Sequence, residues 1–334
     1  MPPSVMHDTR TIADLAFDRW GTLSTNPYWA KVLHQSRAFM PHSFCFWELH
    51  PCGERIDVSV CEDLRNARAR MRLQKWLHSQ TFTHTAQQNA ADILQRWLPE
   101  HRAFPAVFWE QDLPTGNVGI FVSVDRSTSF DHAAQAAATH FGLPAEITRG
   151  LASLQRDLQN VLRPIAMGQF YGRDTAPELR MILRPTAADW RRNLPQDIRN
   201  EVKALTVHLP QNTDVNLALS LQPDRIASAL EARYTADAVP NAAWKPWLHA
   251  VLPHRTPLHD EILAHLYQEP LVRVESDWPP HILLDAFVAP ENQVPRLRCS
   301  ISHVKLQRNA AGDLQQKLYL RADTHWTQLG SSAR

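Results

Sequence analysis

Apolar and polar residues alternate along paired stretches of this chain, and between the pairs the apolar residues recur at helical spacing. The first pair is Phe44–His50 with Arg55–Cys61, joined through Pro51-Cys52-Gly53. The second is Ala106–Gln111 with Asn117–Asp125, joined through Pro114-Thr115-Gly116. Two alternating runs around a Pro-x-Gly turn predict a β-hairpin. These two hairpins also look like diverged copies. Phe46-Trp47-Glu48 and Val58-Ser59-Val60 return as Phe108-Trp109-Glu110 and Val122-Ser123-Val124. A repeated unit is settled before any single residue is interpreted.

Three further pairs follow: Ala166–Arg173 with Glu178–Arg184, Thr206–Leu209 with Val215–Gln222, and Arg296–Leu306 with Gln315–Arg321. Polar turns join them, as hairpin loops require. Helical spacing predicts short helices within 14–37, then Glu62–Gln80 with Leu64, Ala67, Met71, Leu73, Trp76 and Leu77 on its apolar side. It continues with Thr85–Leu98, Asp131–Phe141, Ala145–Leu162, Ala187–Leu205 interrupted at Pro195, Arg225–Tyr234, Trp244–Val251 and His259–Gln268. The stretch 271–290 has strand-forming residues, but its prolines limit any strand there. No low-complexity linker divides the chain. The expected organisation is an N-terminal helical segment over 1–40, one domain over 41–323 and a tail over 324–334.

Parity sorts the strand residues, because neighbouring side chains point to opposite faces. In the second strand of each pair, one face is aliphatic: Val58 and Val60; Val118, Ile120 and Val122; Leu179, Met181 and Leu183; Val215, Leu217, Leu219 and Leu221; Leu318 and Leu320. That face must be covered by the helices. The other face is mixed, with Arg55, Gly119, Phe121, Arg180, Arg184, Asn216, Lys317, Tyr319 and Arg321. In an open sheet it is the wet face. In a closed barrel it lines a lumen, and ten antiparallel strands suit closure, which removes the edges.

Composition narrows the function classes. The 334 residues are 44% hydrophobic, enough for a sizeable core. A net charge of +1 gives no argument for nucleic acid or a membrane surface as partner. The four cysteines form no C-x-x-C pair, the first ten residues lack an apolar signal-peptide region, and no run reaches membrane-spanning length, so a reduced cytoplasmic protein is expected. There is no Walker-type loop, no dinucleotide fingerprint, no H-E-x-x-H, no G-x-S-x-G and no aspartate-rich Asp-Asp-x-x-Asp run.

Five hairpin-and-helix units resemble the ABBA-type (PT-barrel) prenyltransferases. Glu48 sits where that family tends to place a catalytic glutamate. Leu158–Leu162, the following strand and Glu178–Arg184 look like the middle of the cyanobactin-type peptide prenyltransferases. Cys299–Lys305 with Lys317–Arg321 is similar to the family's final hairpin. The resemblance covers most of 44–322. It implies an α+β fold, a ten-stranded antiparallel β-barrel of five hairpin-plus-helix repeats surrounded by helices. It also implies transfer of a dimethylallyl or longer isoprenyl group from its pyrophosphate to a peptide side chain or a small aromatic acceptor. The second hairpin departs from the pattern in having no basic residue on its inward face, only Gly119, Phe121 and Ser123.

That chemistry assigns candidate roles. Arg55, Arg180, Arg184, Arg298, Lys317, Tyr319 and Arg321 are candidates to hold the pyrophosphate, by charge and hydrogen bonding. Phe46, Phe121, Gln169, Tyr171 and Asn216 are candidates for the prenyl and acceptor pocket, the rings shielding a cation. Phe170 offers another such ring, and Phe46 and Phe108 read equally as core. Glu48 is the candidate base and Glu110, its counterpart in the repeat, the rival. Each strand arginine taken alone is equally a solvated or ion-paired residue. Mg²⁺ accompanying the pyrophosphate stays open, since no carboxylate cluster demands it, and no organic cofactor is expected. The expected protein is a monomer. A non-catalytic peptide- or lipid-binding barrel, or an assembly protein with Trp244, Trp247 and Trp278 as anchors, would use the same pattern.

Overall fold

The structure, a computed structural model, describes residues 44–50, 56–82, 84–112, 117–171, 177–210, 213–234, 244–253, 271–273, 293–309 and 311–328. Arg55, the side chain of Arg298, Trp278, the short helices expected within 14–37, the helix expected at His259–Gln268 and all of the stretch 271–290 but 271–273 lie outside the described residues.

The alternating runs form strands in five hairpins: β1 (Phe44–Leu49) with β2 (Ile56–Asp63), β3 (Ala106–Asp112) with β4 (Asn117–Ser123), and β5 (Leu162–Tyr171) with β6 (Leu179–Pro185). Then come β7 (Thr213–Leu221) with β8 (Ile226–Tyr234), and β10 (Gln293–Arg308) with β11 (Leu314–Gln328). A short β9 (Leu271–Arg273) pairs with Arg296–Arg298 beside the ring. The other ten strands pair antiparallel in sequence order, β10 pairs with both β8 and β11, and β11 returns to β1. The sheet therefore closes into a barrel and, of the two architectures compatible with the parity, the lumen-forming one is realised.

Helices cover the aliphatic face. They are α1 (Ala67–Ser79), α2 (Thr85–Trp97), α3 (Phe130–Phe141), α4 (Ala145–Leu158), α5 (Gln196–Thr206) and α6 (Trp244–Val251). α1 packs on β2, α2 on β4 and β5, α3 on β5, α4 on β7, and α5 and α6 on β8. Asn66 caps α1 by accepting from the backbone N–H of Arg68 and Ala69, and Gly142 ends α3 in the left-handed region at φ 64°. The core lies in this shell between barrel and helices, where Trp47, Trp97, Val60, Ile120, Met181, Leu217 and Leu320 are fully or almost fully buried. Among the described residues no helix is long and apolar enough to cross a membrane.

Four expectations are corrected. Residues 226–234 form strand β8, where the abundance of alanine, leucine and glutamate predicts a helix. Its partner β7 decides, with Leu217 opposite Leu230 and Asn216 opposite Glu231. The tight turn is closed by Gln222 N–H donating to the Arg225 carbonyl at 2.9 Å. Thr206–Leu209, expected as a strand, instead holds the end of α5 and the turn after it. The stretches Glu62–Gln80 and Ala145–Leu162 are each shorter as helices, because Glu62–Asp63 and Leu162 belong to strands; Met71 is 62% exposed and off the packed side of α1. Finally, β11 runs to Gln328, so the strand continues through 324–328.

Candidate active site

Parity and register together fix which side chains enter the lumen. Glu48 lies opposite Tyr319 on one side and Asp57 on the other, and Phe46 opposite Ser59. Ser59 faces Glu110, Glu110 faces Gly119, and Gly119 faces Phe170. Gly168 faces Arg180, and Lys305 sits between Glu231 and Lys317. A cavity of about 230 Å³ is bounded by Phe46, Phe108, Phe121, Glu110, Arg180, Glu231, His303, Lys305 and Tyr319, among others.

One wall is aromatic. The Phe46 and Phe108 ring centres are 6.2 Å apart, and Phe121 meets Phe170 edge to face at 5.6 Å. Two glycines make this wall possible. A Cβ at Gly168 would stand 2.1 Å from Cδ1 of Phe121, and one at Gly119 would stand 2.9 Å from Cε1 of Phe170. Each ring thus lies across the glycine that it faces in the β4–β5 register. Arg180 covers the Phe170 face at 4.5 Å and donates from Nε to Glu178 at 2.7 Å.

The charged centre is built around Glu48, which is 5% exposed. Lys317 Nζ donates to its Oε1 at 2.5 Å, and the Tyr319 hydroxyl donates to its Oε2. His50 Nε2 lies 3.1 Å from Glu48 Oε1 and 2.9 Å from Asp57 Oδ2. Burial opposes the charge on Glu48, but Lys317, His50 and Lys305 outweigh it and hold the carboxyl well below its usual range. Burial and the surrounding carboxylates push the Tyr319 hydroxyl well up, so it stays a donor. Lys305 goes the other way: burial, with Arg180 and Lys317 nearby, brings its ammonium down to about 8.

Three strands round the ring, β8 carries a second carboxylate. Glu231 is 4% exposed, accepts from Asn216 Nδ2 at 3.2 Å, and lies 3.7 Å from Arg233 Nη2 and 3.8 Å from His303 Nε2. Arg184 Nε reaches Asn216 Oδ1 at 3.5 Å. His303 stacks on Tyr319 with ring centres 4.1 Å apart, and burial brings its pKa down to about 4.

Of the residues expected from sequence, Glu48, Arg180, Arg184, Lys317, Tyr319, Arg321, Phe46, Phe121 and Asn216 share the inward face. Arg321 lies over the Phe46 ring at 5.9 Å. Glu48 and Lys317 stand behind the cavity surface, and Tyr319 connects Glu48 to it, whereas the rival Glu110 borders the cavity directly. Gln169 and Tyr171 are corrected. They alternate with the inward Gly168 and Phe170 and so point outward, where the Tyr171 hydroxyl donates to Gln169 Oε1 at 3.1 Å and Tyr171 packs against the outer core. Strand β5 has apolar residues on both faces and its polar Gln169 on the outward one, so polarity misleads about its parity. Lys305, His303, Glu231, Arg233, His50 and Asp57 escape the sequence reading. For Glu231 and Arg233 the cause is the helical appearance of β8. For Lys305 the register opposite Lys317 is the signal, which a β-bulge between Ile301 and His303 obscures.

Glu48, His50 and Asp57 bring three potential metal-ligand atoms within 4.8 Å of one another. They fit a shared proton better than Mg²⁺, which wants oxygen ligands in octahedral array. Lys317 and Tyr319 already occupy the Glu48 oxygens, and His50 bridges the two carboxylates.

No protein-family model matches the chain, and no curated protein matches it in sequence. Among solved structures, 5-dimethylallyltryptophan synthase from Streptomyces coelicolor aligns over 94% of this chain and 98% of its own, with a TM-score of 0.54 and 14% identity. NotF prenyltransferase aligns over 92% and 91% at 0.49 and 10% identity. PriB in binary complex with product diphosphate aligns over 93% and 96% at 0.48 and 13% identity. The first of these establishes the fold as the PT barrel.

Proposed function

We propose that this chain is a prenyltransferase that moves a dimethylallyl or longer isoprenyl group from its pyrophosphate to an aromatic acceptor, either a peptide side chain or a small molecule. The observation that carries the reading is convergence. Arg180 and Lys305 reach the same cavity as Phe46, Phe108 and Phe121, and Tyr319 links that cavity to the ionised Glu48.

In this reading Arg180 and Lys305 donate to the pyrophosphate oxygens, with Lys317 behind them, and stabilise the charge that develops as the allylic C–O bond breaks. The bonding electrons leave with the pyrophosphate. The phenylalanine rings offer their faces to the allylic cation and exclude water from it. The acceptor's electron pair forms the new bond to the prenyl carbon. The acceptor's proton then passes to the Tyr319 oxygen while Tyr319 gives its own proton to Glu48, restoring the tyrosine. Mg²⁺, where used, would arrive with the pyrophosphate, and no organic cofactor enters. The reading takes the protein as a monomer.

The test is incubation with dimethylallyl and geranyl pyrophosphate and a mixed set of aromatic amino acids, small aromatics and peptides, read by mass shift. The expected outcome is an acceptor heavier by one prenyl group. No shift with any pair, together with no pyrophosphate binding by calorimetry, would leave a non-catalytic peptide- or lipid-binding barrel as the better reading.

A further inference from the structure

The prenyl-transfer scheme gives no task to the buried polar group on β8 and β10. Glu231 stands five strands round the ten-strand ring from Phe108 and Glu110 on β3, on the opposite wall of the cavity. Asn216 holds its Oε2. Its Oε1 faces His303 Nε2 across 3.8 Å, too far for a hydrogen bond between them. His303 is 7% exposed, its Nε2 has no hydrogen-bond partner, and its Nδ1 pairs with Ser302 Oγ at 3.1 Å. Both residues border the cavity. Buried polar atoms in folded proteins are generally partnered, so an unpartnered nitrogen beside a buried carboxylate in a cavity wall points to a ligand.

We propose that Glu231 and His303 form a binding subsite for a primary ammonium group on the acceptor, placed across the cavity from the aromatic wall. The inference rests on reading this lumen as a prenyl-transfer site. An ammonium has no acceptor capacity and three donors, which matches one carboxylate oxygen and one imidazole lone pair. With its proton on Nδ1, shared with Ser302, His303 presents that lone pair at Nε2. The charges agree. Burial opposes ionisation of Glu231, but Arg233, Lys305 and the Asn216 hydrogen bond favour it and its carboxyl lies below the usual range, while His303 stays neutral down to about pH 4. Tyr319, stacked on His303 and bonded to Glu48, sets the distance between the amine subsite and the proton-accepting end. Acceptors would therefore be aromatic compounds with a free amine, and an acylated amine would fit poorly.

Calorimetry on the full chain tests this with 2-phenylethylamine and N-acetyl-2-phenylethylamine as probes, with and without saturating inorganic pyrophosphate. The amine is expected to bind and its acetyl form to bind at least about tenfold more weakly. Glu231→Gln should lower amine affinity by about 10- to 100-fold and bring the two probes level. Unchanged pyrophosphate affinity in that variant reports an intact barrel. His303→Phe keeps the stack on Tyr319 and should weaken the amine alone. Equal binding of the two probes to the unsubstituted protein, or binding of neither, would overturn the subsite whether or not the variants fold. Failure of pyrophosphate to bind counts against prenyl transfer, and the probe comparison without it still decides the subsite.

Discussion

At the scale of residues, Glu48 and Glu110 began as equivalent members of a repeat and the fold separates them. Glu48 is buried among Lys317, Tyr319 and His50, whereas Glu110, beside Phe108 on β3, borders the cavity directly. If Glu48 is the terminal proton acceptor, Glu48→Gln lowers turnover by about 10²- to 10⁴-fold, Tyr319→Phe lowers it in the same direction, and Glu110→Gln has a much smaller effect. Steady-state rates on an identified acceptor decide, and the reverse ranking would move the base to Glu110. Lys305 gives a pH prediction. It faces Arg180, Lys317, Glu48 and Glu231, and its ammonium titrates at about 8. An arriving pyrophosphate favours the charged form, so binding near pH 8.5 should take up a proton, which calorimetry in buffers of different ionisation enthalpy measures and Lys305→Met abolishes. The sign carries through to stability. The folded value lies below the unfolded 10.5, so Lys305 alone makes the free protein gain stability as pH rises from 8 towards 10.5.

At the scale of elements, β4 and β5 depend on two glycines for a packing reason, not a turn. Phe121 fills the place a side chain would take at Gly168 and Phe170 does the same at Gly119. Gly168→Ala is expected to cost about 1–3 kcal/mol by overpacking, and to displace the aromatic wall. Pairing it with Phe121→Leu should recover part of that loss in urea denaturation, because the clash is with the ring. Equal destabilisation of the single and double variants would refute the interlock. The β8 strand shows how local propensity yields. Its residues suit a helix one by one, but Leu230 is fully buried between β7 and β10, and as a strand it presents Ala229, Glu231 and Arg233 to the lumen together. Leu230→Ala should cost about 2–5 kcal/mol, the range for a fully buried leucine.

At the scale of the molecule, the ring closes through the last hairpin, since β11 pairs with β1 as well as β10 and supplies Lys317, Tyr319 and Arg321 to the lumen. A chain ending at Asp313 would leave β1 and β10 as unpaired edges, and is expected to lose cooperative thermal unfolding and to aggregate, as scattering and calorimetry would register. The sequence by itself determined a good deal. Alternation with period two named four of the five hairpins, and parity placed most of the charged and aromatic candidates on one face, because a strand's own geometry sets which neighbours share a side. Closure, and the mutual positions within the lumen, were decided only by tertiary structure. Whether a mixed face is wet or enclosed depends on whether strands some 270 residues apart, such as Glu48 on β1 and Tyr319 on β11, come into register. The same holds for the partition of charge. A lysine on a mixed face reads as solvated, and only the walls around Lys305 and Lys317 turn them into a half-buried pair, one with a lowered pKa and the other bound to Glu48. Gln169 and Tyr171 fell on the wrong face, and Glu231 in the wrong kind of element, for one reason: a strand with apolar residues on both sides, or rich in helix formers, takes its orientation from its partners.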